Sequence, residues 1–312
     1  MNFFILLLTV LPALLAVVLA ILPGSILSLF IQPKIEGFFC GDESIRLPQK
    51  PDSFTNRMLA MFVFLPFFTV AIFCEAIQGY LSYKDHKQQL VINHRHLQSD
   101  SNKSDLKAAQ KRYIVSTLQT FGHLTFCYIY GHCFIFSLVF ITKFTVGRPR
   151  PSFIDVCKPI YLSRNFTCDG TVATKHIYVD NYECESEDSR TMTIIDARRE
   201  IKTSFPSGHA ALAIYSAVFI AIYLQNLKNC NKFVRLARIV TQSYILLVAF
   251  YAAVSRVSDH RHHATDVLGG LAIGVTVGLL MMIHLKNKSA VANRAITCYN
   301  GSGHVNEFEQ KT

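Results

Sequence analysis

Six stretches of this 312-residue chain are long and apolar enough to cross a bilayer, and this pattern limits the fold more than any other feature. They fall near residues 3–30, 59–82, 117–142, 210–225, 238–254 and 266–285. A hydrocarbon core of about 30 Å takes about 20 predominantly apolar residues to span as helix. Lipid offers the backbone no hydrogen-bond partner, so a span of that kind satisfies its own amides and carbonyls by coiling. The predicted fold is therefore all-α: a polytopic integral membrane protein of six transmembrane helices. Residues 1–285 form its one transmembrane domain and 286–312 a tail. Charged residues make up only 17% of the chain, against about 25% in soluble domains, which argues against two soluble domains of ordinary size. The first run lacks a basic flank and exceeds the about 7–15 apolar residues of a signal peptide. It reads as a retained helix.

Charge between the runs sets an orientation. The segment from Lys84 to Ser116 carries Lys84, Lys87, Arg95, Lys103, Lys107, Lys111 and Arg112 against Asp85, Asp100 and Asp105. Lys228, Lys232, Arg235 and Arg238 follow the fourth run with no acid among them, and Lys286, Lys288 and Arg294 follow the sixth. Six spans put these segments and both termini on one side, which the positive-inside rule makes cytoplasmic. The net charge of +10 thus reads as topology and not as a nucleic-acid surface. Residues 31–58, 143–209 and 255–265 face the lumen or the cell exterior. Asn165-Phe166-Thr167 is a glycosylation acceptor in that compartment. Cys40, Cys157, Cys168 and Cys184 lie on the same side, where disulfides form, and their three pairings stay open. The other sequons, at Asn102, Asn287 and Asn300, fall on the cytoplasmic side. Glu75, inside the second run, reads as a hydrogen-bonding residue of the helix bundle.

By span parity, three polar clusters meet at the outer face. The third run ends in KFTVGRPRP (143–151), the fourth begins after SFPSGHA (204–210), and SRVSDHRHHATD (255–266) joins the fifth to the sixth. Lys143, Arg150 and Arg256 supply cations, and the arginine fork suits phosphate oxygens. Ser207 and Gly208 stand at a helix mouth, where free backbone N–H groups favour an anion. His209 and His262 titrate near neutrality. Asp266, four residues after His262, is placed on one helix face to hold that imidazole's tautomer. Blander readings compete: Arg148 snorkelling to headgroups, loop histidines merely solvated, or His260, His262 and His263 holding a metal. The cations around them disfavour a bound cation and favour a phosphate, so no metal and no cofactor are expected.

Together the three stretches resemble the lipid phosphate phosphatase family of the type 2 phosphatidate phosphatases, within the vanadium haloperoxidase-like superfamily. The family pattern K-x6-RP, PSGH, SR-x5-H-x3-D is filled by Lys143 to Arg150-Pro151, by Pro206-Ser207-Gly208-His209, and by Ser255-Arg256 with His262 and Asp266. The first outer loop, FFCGDESIRLP (38–48), is similar as well, and the resemblance reaches residue 286 or so. It implies a metal-independent hydrolase acting on phosphatidate, lysophosphatidate, ceramide 1-phosphate and sphingosine 1-phosphate. In that scheme Lys143, Arg150, Ser207, Gly208 and Arg256 hold the phosphate. His262 attacks phosphorus, Asp266 hydrogen-bonds His262, and His209 protonates the leaving alkoxide. Arg148 falls in the variable gap as an auxiliary contact. The implied partners are these lipids and the bilayer. A homo-oligomer is compatible with this, and the implied location is the plasma membrane, or the ER and Golgi. The alternative is a catalytically silent scaffold that binds lipid phosphates. Its hallmark, loss of a motif histidine or aspartate, is missing here.

Overall fold

The computed structural model describes residues 3–34, 36–97, 102–161, 168, 171, 174–184, 200–227 and 232–288. Six long helices dominate them: α1 (Phe3–Phe30), α2 (Asn56–Leu97), α3 (Asn102–Val146), α5 (Gly208–Asn226), α6 (Lys232–Ser258) and α7 (Ala264–Lys288). Each is long and apolar enough to cross a membrane. A short helix, α4 (Phe153–Cys157), and four strands of two or three residues lie between them. Asn165 and the tail beyond residue 288 lie outside the described residues.

Two helices depart from the expected boundaries. α2 and α3 run for 42 and 45 residues, well past the apolar runs 59–82 and 117–142. Hydropathy marks where lipid ends, whereas the helix continues through Lys, Gln, Leu and Ala, which are good helix formers in water. Most of the basic segment between Lys84 and Ser116 is therefore helix.

α5 is the most enclosed span, with Ala210, Ala211, Ala213, Tyr215, Ser216, Ala217 and Phe219 fully buried. Its close partner is α7, and a glycine ridge explains the approach. Gly270, Gly274 and Gly278 repeat every fourth residue and so share one helix face. A Cβ on Gly270 would overlap the Ser207 carbonyl oxygen, and one on Gly274 the Ala211 carbonyl oxygen. On Gly278 it would stand 3.0 Å from a Val218 methyl. Small residues let backbones meet closely where lipid gives no hydrophobic drive between helices. Because α5 begins at Gly208 and α7 at Ala264, the same ridge fixes their N-termini side by side. Gly274→Leu is expected to push these helices apart, lower the melting temperature in detergent and cost activity together; unchanged melting and activity would show that the ridge does not set the contact.

Several polar residues inside the bundle are paired. The Tyr223 hydroxyl donates to Glu75 Oε1 at 3.0 Å, and Glu75 is 1% exposed; this is the intrabundle hydrogen bond expected of it. Tyr215 donates to the Tyr128 carbonyl at 3.1 Å, in space that a side chain on Gly131 would occupy. Gly24 N donates to Ser137 Oγ at 3.1 Å, tying α1 to α3.

Over one end of the bundle lies a small cap. β1 (Phe38–Phe39) pairs antiparallel with β3 (Tyr178–Val179), and β2 (Pro159–Tyr161) with β4 (Tyr182–Cys184). Phe38, Ile45, Phe153, Val179, Tyr182 and Ile201 fill its core. Of the three open cysteine pairings, the structure adopts Cys40–Cys168 and Cys157–Cys184. A separate core this small gains much from such cross-links.

Candidate functional site

α3 ends where it must turn under the cap. Gly147 takes φ +65°, and its N–H donates to the Lys143 carbonyl at 3.0 Å, closing the helix with a left-handed residue. A side chain there would overlap the Lys34 carbonyl oxygen. Lys143 in the last turn is favourably placed at the negative helix end. It is 9% exposed, and its Nζ donates to the Thr203 carbonyl. Arg150 follows, 7% exposed, with its backbone N–H on the Ile201 carbonyl at 2.9 Å and Nη1 on Glu200 at 2.9 Å. Its Nε is buried without a partner among the described residues.

At the mouth of α5, Ser207 is the N-cap, and its hydroxyl accepts from Ala210 N at 3.5 Å. Its own N–H donates to the Asp266 carbonyl at 2.9 Å, binding the α5 entrance to the first turn of α7. A Cβ on Gly208 would meet only Val139, at an ordinary 3.6 Å. Neighbouring protein thus does not demand glycine there, which leaves the open side of the helix mouth as the reason for it. His209 comes next, and its Nε2 is buried without a partner among the described residues.

The third segment is a five-residue loop between α6 and α7 that closes on Arg256. The Arg256 carbonyl accepts from the N–H groups of both Arg261 and His262 at 3.0 Å. Its guanidinium, 2% exposed, reaches Asp259 at 3.0 Å and Asp52 at 3.2 Å. Asp52 also pairs with Arg261 at 2.9 Å, and Ser53 donates through N and Oγ to Asp259 at 2.8 and 2.7 Å. The loop before α2 therefore clasps the cationic end of α6.

The residues singled out in sequence do converge. Arg150, Lys143 and His209 are the titratable neighbours that act on His262, and Arg256, Asp52, Arg150 and Lys143 those around His209. One detail differs from the expected geometry. Asp266 lies 3.9 Å from His262 Nδ1, beyond hydrogen-bonding distance. His262 precedes α7 instead of standing in it, so a four-residue helical spacing does not apply. Asp266 instead caps its own helix, accepting from the His263 N–H at 2.9 Å and facing His263 Nδ1 at 3.1 Å, as an acidic residue at the third helical position does. Ser204 fills the gap. Its hydroxyl donates to Asp266 at 2.6 Å and lies 3.5 Å from His262 Nδ1. Arg148, placed in sequence as an auxiliary contact, reaches Asp266 Oδ1 at 2.6 Å and Thr265 at 2.7 Å.

Sequence reasoning missed Ser204, Asp52, Asp259, Glu200 and Arg261. The only local hint was the position of Ser204 two residues before the PSGH stretch. Nothing in the chain order announces that residues 52 and 256 meet.

The electrostatics follow from burial among cations. Desolvation pushes His262 well below the usual histidine range; Arg150, Lys143 and His209 push the same way, and a backbone hydrogen bond at Ser204 opposes them. The Arg150 guanidinium holds the Glu200 carboxyl below its usual value despite burial, and burial lowers Arg150 itself. An imidazole kept neutral beside clustered cations, with a buried Arg150 N–H and a buried His209 ring nitrogen that have no partner among the described residues, suits an incoming anion and a nucleophilic ring nitrogen. The other loop histidines point elsewhere: His260 Nδ1 to the Pro48 carbonyl at 2.8 Å, and His263 to Asp266. They do not converge on a metal position with His262.

Ser204→Ala removes the hydroxyl between Asp266 and His262. An unmade hydrogen bond to a buried charged group costs about 1–3 kcal/mol, so kcat is expected to fall about 10- to 100-fold with KM little changed. Wild-type kcat in that variant would remove Ser204 from the relay.

Comparison with known proteins places this constellation. Residues 122–290 match the PAP2 superfamily, a span that includes every residue of the three clusters. The chain is 34% identical to phospholipid phosphatase 2 of Mus musculus over 273 residues, covering 88% of this chain and 84% of that protein. It is 30% identical to phospholipid phosphatase 2 of Homo sapiens over 88% of this chain and 81% of that one. With phospholipid phosphatase 1 of Rattus norvegicus it shares 31% over 86% and 82%. No solved structure gave a significant match. With six spanning helices, the motif residues gathered at one end of the bundle and relatives aligned over most of their length, the chain belongs to the PAP2 superfamily.

Proposed function

We propose that this integral membrane phosphatase hydrolyses phosphomonoesters on lipids, among them phosphatidate, lysophosphatidate, ceramide 1-phosphate and sphingosine 1-phosphate, through a phosphohistidine on His262 and without a metal ion. The observation that carries this reading is the meeting of Lys143, Arg150 and Arg256 around the buried His262 and the partly buried His209 where the helices end. Lipid phosphates ride at headgroup depth, where a cradle at helix ends meets them without drawing charge into hydrocarbon. The relatives named phospholipid phosphatase support the substrate class.

In the proposed reaction the three cations and the α5 mouth at Ser207 and Gly208 hold the phosphoryl oxygens and counter their charge in transfer. His262 presents Nδ1 toward Ser204, which leaves Nε2 to attack phosphorus. The bond to the lipid oxygen breaks, and His209, protonated as imidazolium beside the bound phosphate dianion, gives that alkoxide its proton. Water then attacks phosphorus with His209 as base, inorganic phosphate leaves, and both histidines return to their starting state. Asp266 acts through Ser204 and Arg148 and does not touch the nucleophile. Residues 1–285 make up the phosphatase domain and 286–312 a cytoplasmic tail; the site faces the cell exterior or lumen, at the plasma membrane or in the ER and Golgi.

Phosphate release from phosphatidate and lysophosphatidate in detergent micelles containing EDTA tests the reaction. Acid-labile, alkali-stable phosphate on the protein tests the intermediate. Silence under EDTA that a divalent ion reverses would overturn the metal-independent scheme; silence in folded protein that still binds the lipid would favour a scaffold. Glycan mapping checks the orientation: Asn165 is expected to be modified, and glycan on Asn102, Asn287 or Asn300 would reverse it.

The depressed His262 titration gives a pH signature. The ring is neutral above its folded value, so the nucleophile is lost only as pH falls through a point below the usual 6.5. The acid limb of kcat/KM contributed by His262 is expected below pH 6.5. Lys143→Met removes one of the charges that depress it, so the limb should move to higher pH. The substrate's own titration is common to both proteins and cancels. A limb that stays in place would show that Lys143 does not act on His262.

A further inference from the structure

At the far end of the same helices lies a second group of chemically capable side chains. His123 and Cys127 stand four residues apart on α3 and so share one helix face. His284 reaches them from the last turns of α7. The two histidine nitrogens and the cysteine sulfur all lie within 4.8 Å of one another, and the two imidazole centroids are 6.2 Å apart. A tetrahedral zinc with bonds of about 2.0–2.3 Å holds such atoms about 3.5 Å apart, inside the 4.8 Å within which all three already lie. The set contains one thiolate donor and two imidazoles and no carboxylate. That chemistry selects a borderline-soft divalent ion over magnesium or calcium.

We propose that His123, Cys127 and His284 form a zinc site that staples α3 to α7, with a fourth position open to water. The site is distinct from the phosphate cradle. His284 is eighteen residues beyond Asp266 on α7, and His123 twenty residues before Lys143 on α3, which at 1.5 Å per residue is about 27–30 Å along each helix. That distance is about a full hydrocarbon thickness, so the ion sits at the opposite headgroup level. There the exposed His284 gives water an approach, and the residual positive charge stays out of the hydrocarbon midplane. Binding replaces the Cys127 thiol proton by the metal, the proton leaving to solvent, while both histidines bind as neutral rings. The phosphatase scheme does not use these residues, so the two proposals stand or fall separately.

The test uses the full-length protein in detergent micelles, freed of metal by chelation and titrated with Co²⁺ as the optical probe, then with Zn²⁺ as competitor. The wild type is expected to develop a thiolate-to-cobalt absorption at one equivalent, to lose it when zinc is added, and to gain several degrees in melting temperature with zinc. Cys127→Ala is expected to abolish the band. His284→Ala, at an exposed position, should weaken binding by at least about tenfold while the protein keeps its size-exclusion profile and its phosphate release. No band in active wild-type protein, or a band that survives both substitutions and therefore arises elsewhere, would overturn the site. If Cys127→Ala fails to fold, the His284→Ala titration decides alone.

Discussion

Replacing His262 by alanine is expected to lower kcat for phosphate release by at least about a thousandfold, the scale on which loss of a covalent nucleophile is felt. The side chain is 3% exposed and sits between the cations and Ser204. Its removal deletes the proposed nucleophile without unmaking a cap or a helix contact. Lipid binding and melting temperature should therefore persist, and the acid-labile phosphoenzyme should vanish. His209→Ala should differ in kind. The nucleophile survives, so a substrate with a good leaving group, which needs little protonation, should still phosphorylate His262 in a burst while turnover stalls. Substantial steady-state activity in His262→Ala, measured with EDTA present, would assign the chemistry to another residue.

The second large effect is expected at Asp266, which is fully buried and takes four contacts: Ser204 at 2.6 Å, Arg148 at 2.6 Å, and the His263 backbone and ring at 2.9 and 3.1 Å. Asp266→Asn keeps the shape but loses the charge and one acceptor oxygen, so at least one of these donors faces an amide N–H₂. Ser204 would turn away from the relay and Arg148 would lose its counter-charge. A fall in kcat of about 10²- to 10⁴-fold is expected, larger than for Ser204→Ala because two arms fail together. The double variant should be little worse than Asp266→Asn alone, since a shared network is not additive. Fully additive losses would show that Ser204 and Asp266 act apart, leaving the 3.9 Å gap between Asp266 and His262 unbridged in function as well.

Much of the frame was legible before any coordinates. Lipid leaves a spanning chain one local solution, so six apolar runs became six helices, and span parity alone put Lys143, Ser207 and Arg256 at one face. The ends of α2 and α3 were illegible because helix and hydrocarbon stop for different reasons. The Gly270-Gly274-Gly278 ridge was present in the sequence, but its meaning depends on α5 lying against that face.

The site divides along the same line. Sequence by itself named the groups that gather at this end of the bundle, because lysine, arginine, histidine and serine at fixed spacings around helix termini are local facts. Tertiary structure alone decided how they are held: Asp52 on Arg256 across some two hundred residues, Glu200 on Arg150, Ser204 between Asp266 and His262, and the pairings Cys40–Cys168 and Cys157–Cys184. Hydrogen bonds and ion pairs act over a few ångströms of space, and distance along the chain carries no record of which residues folding will bring that near.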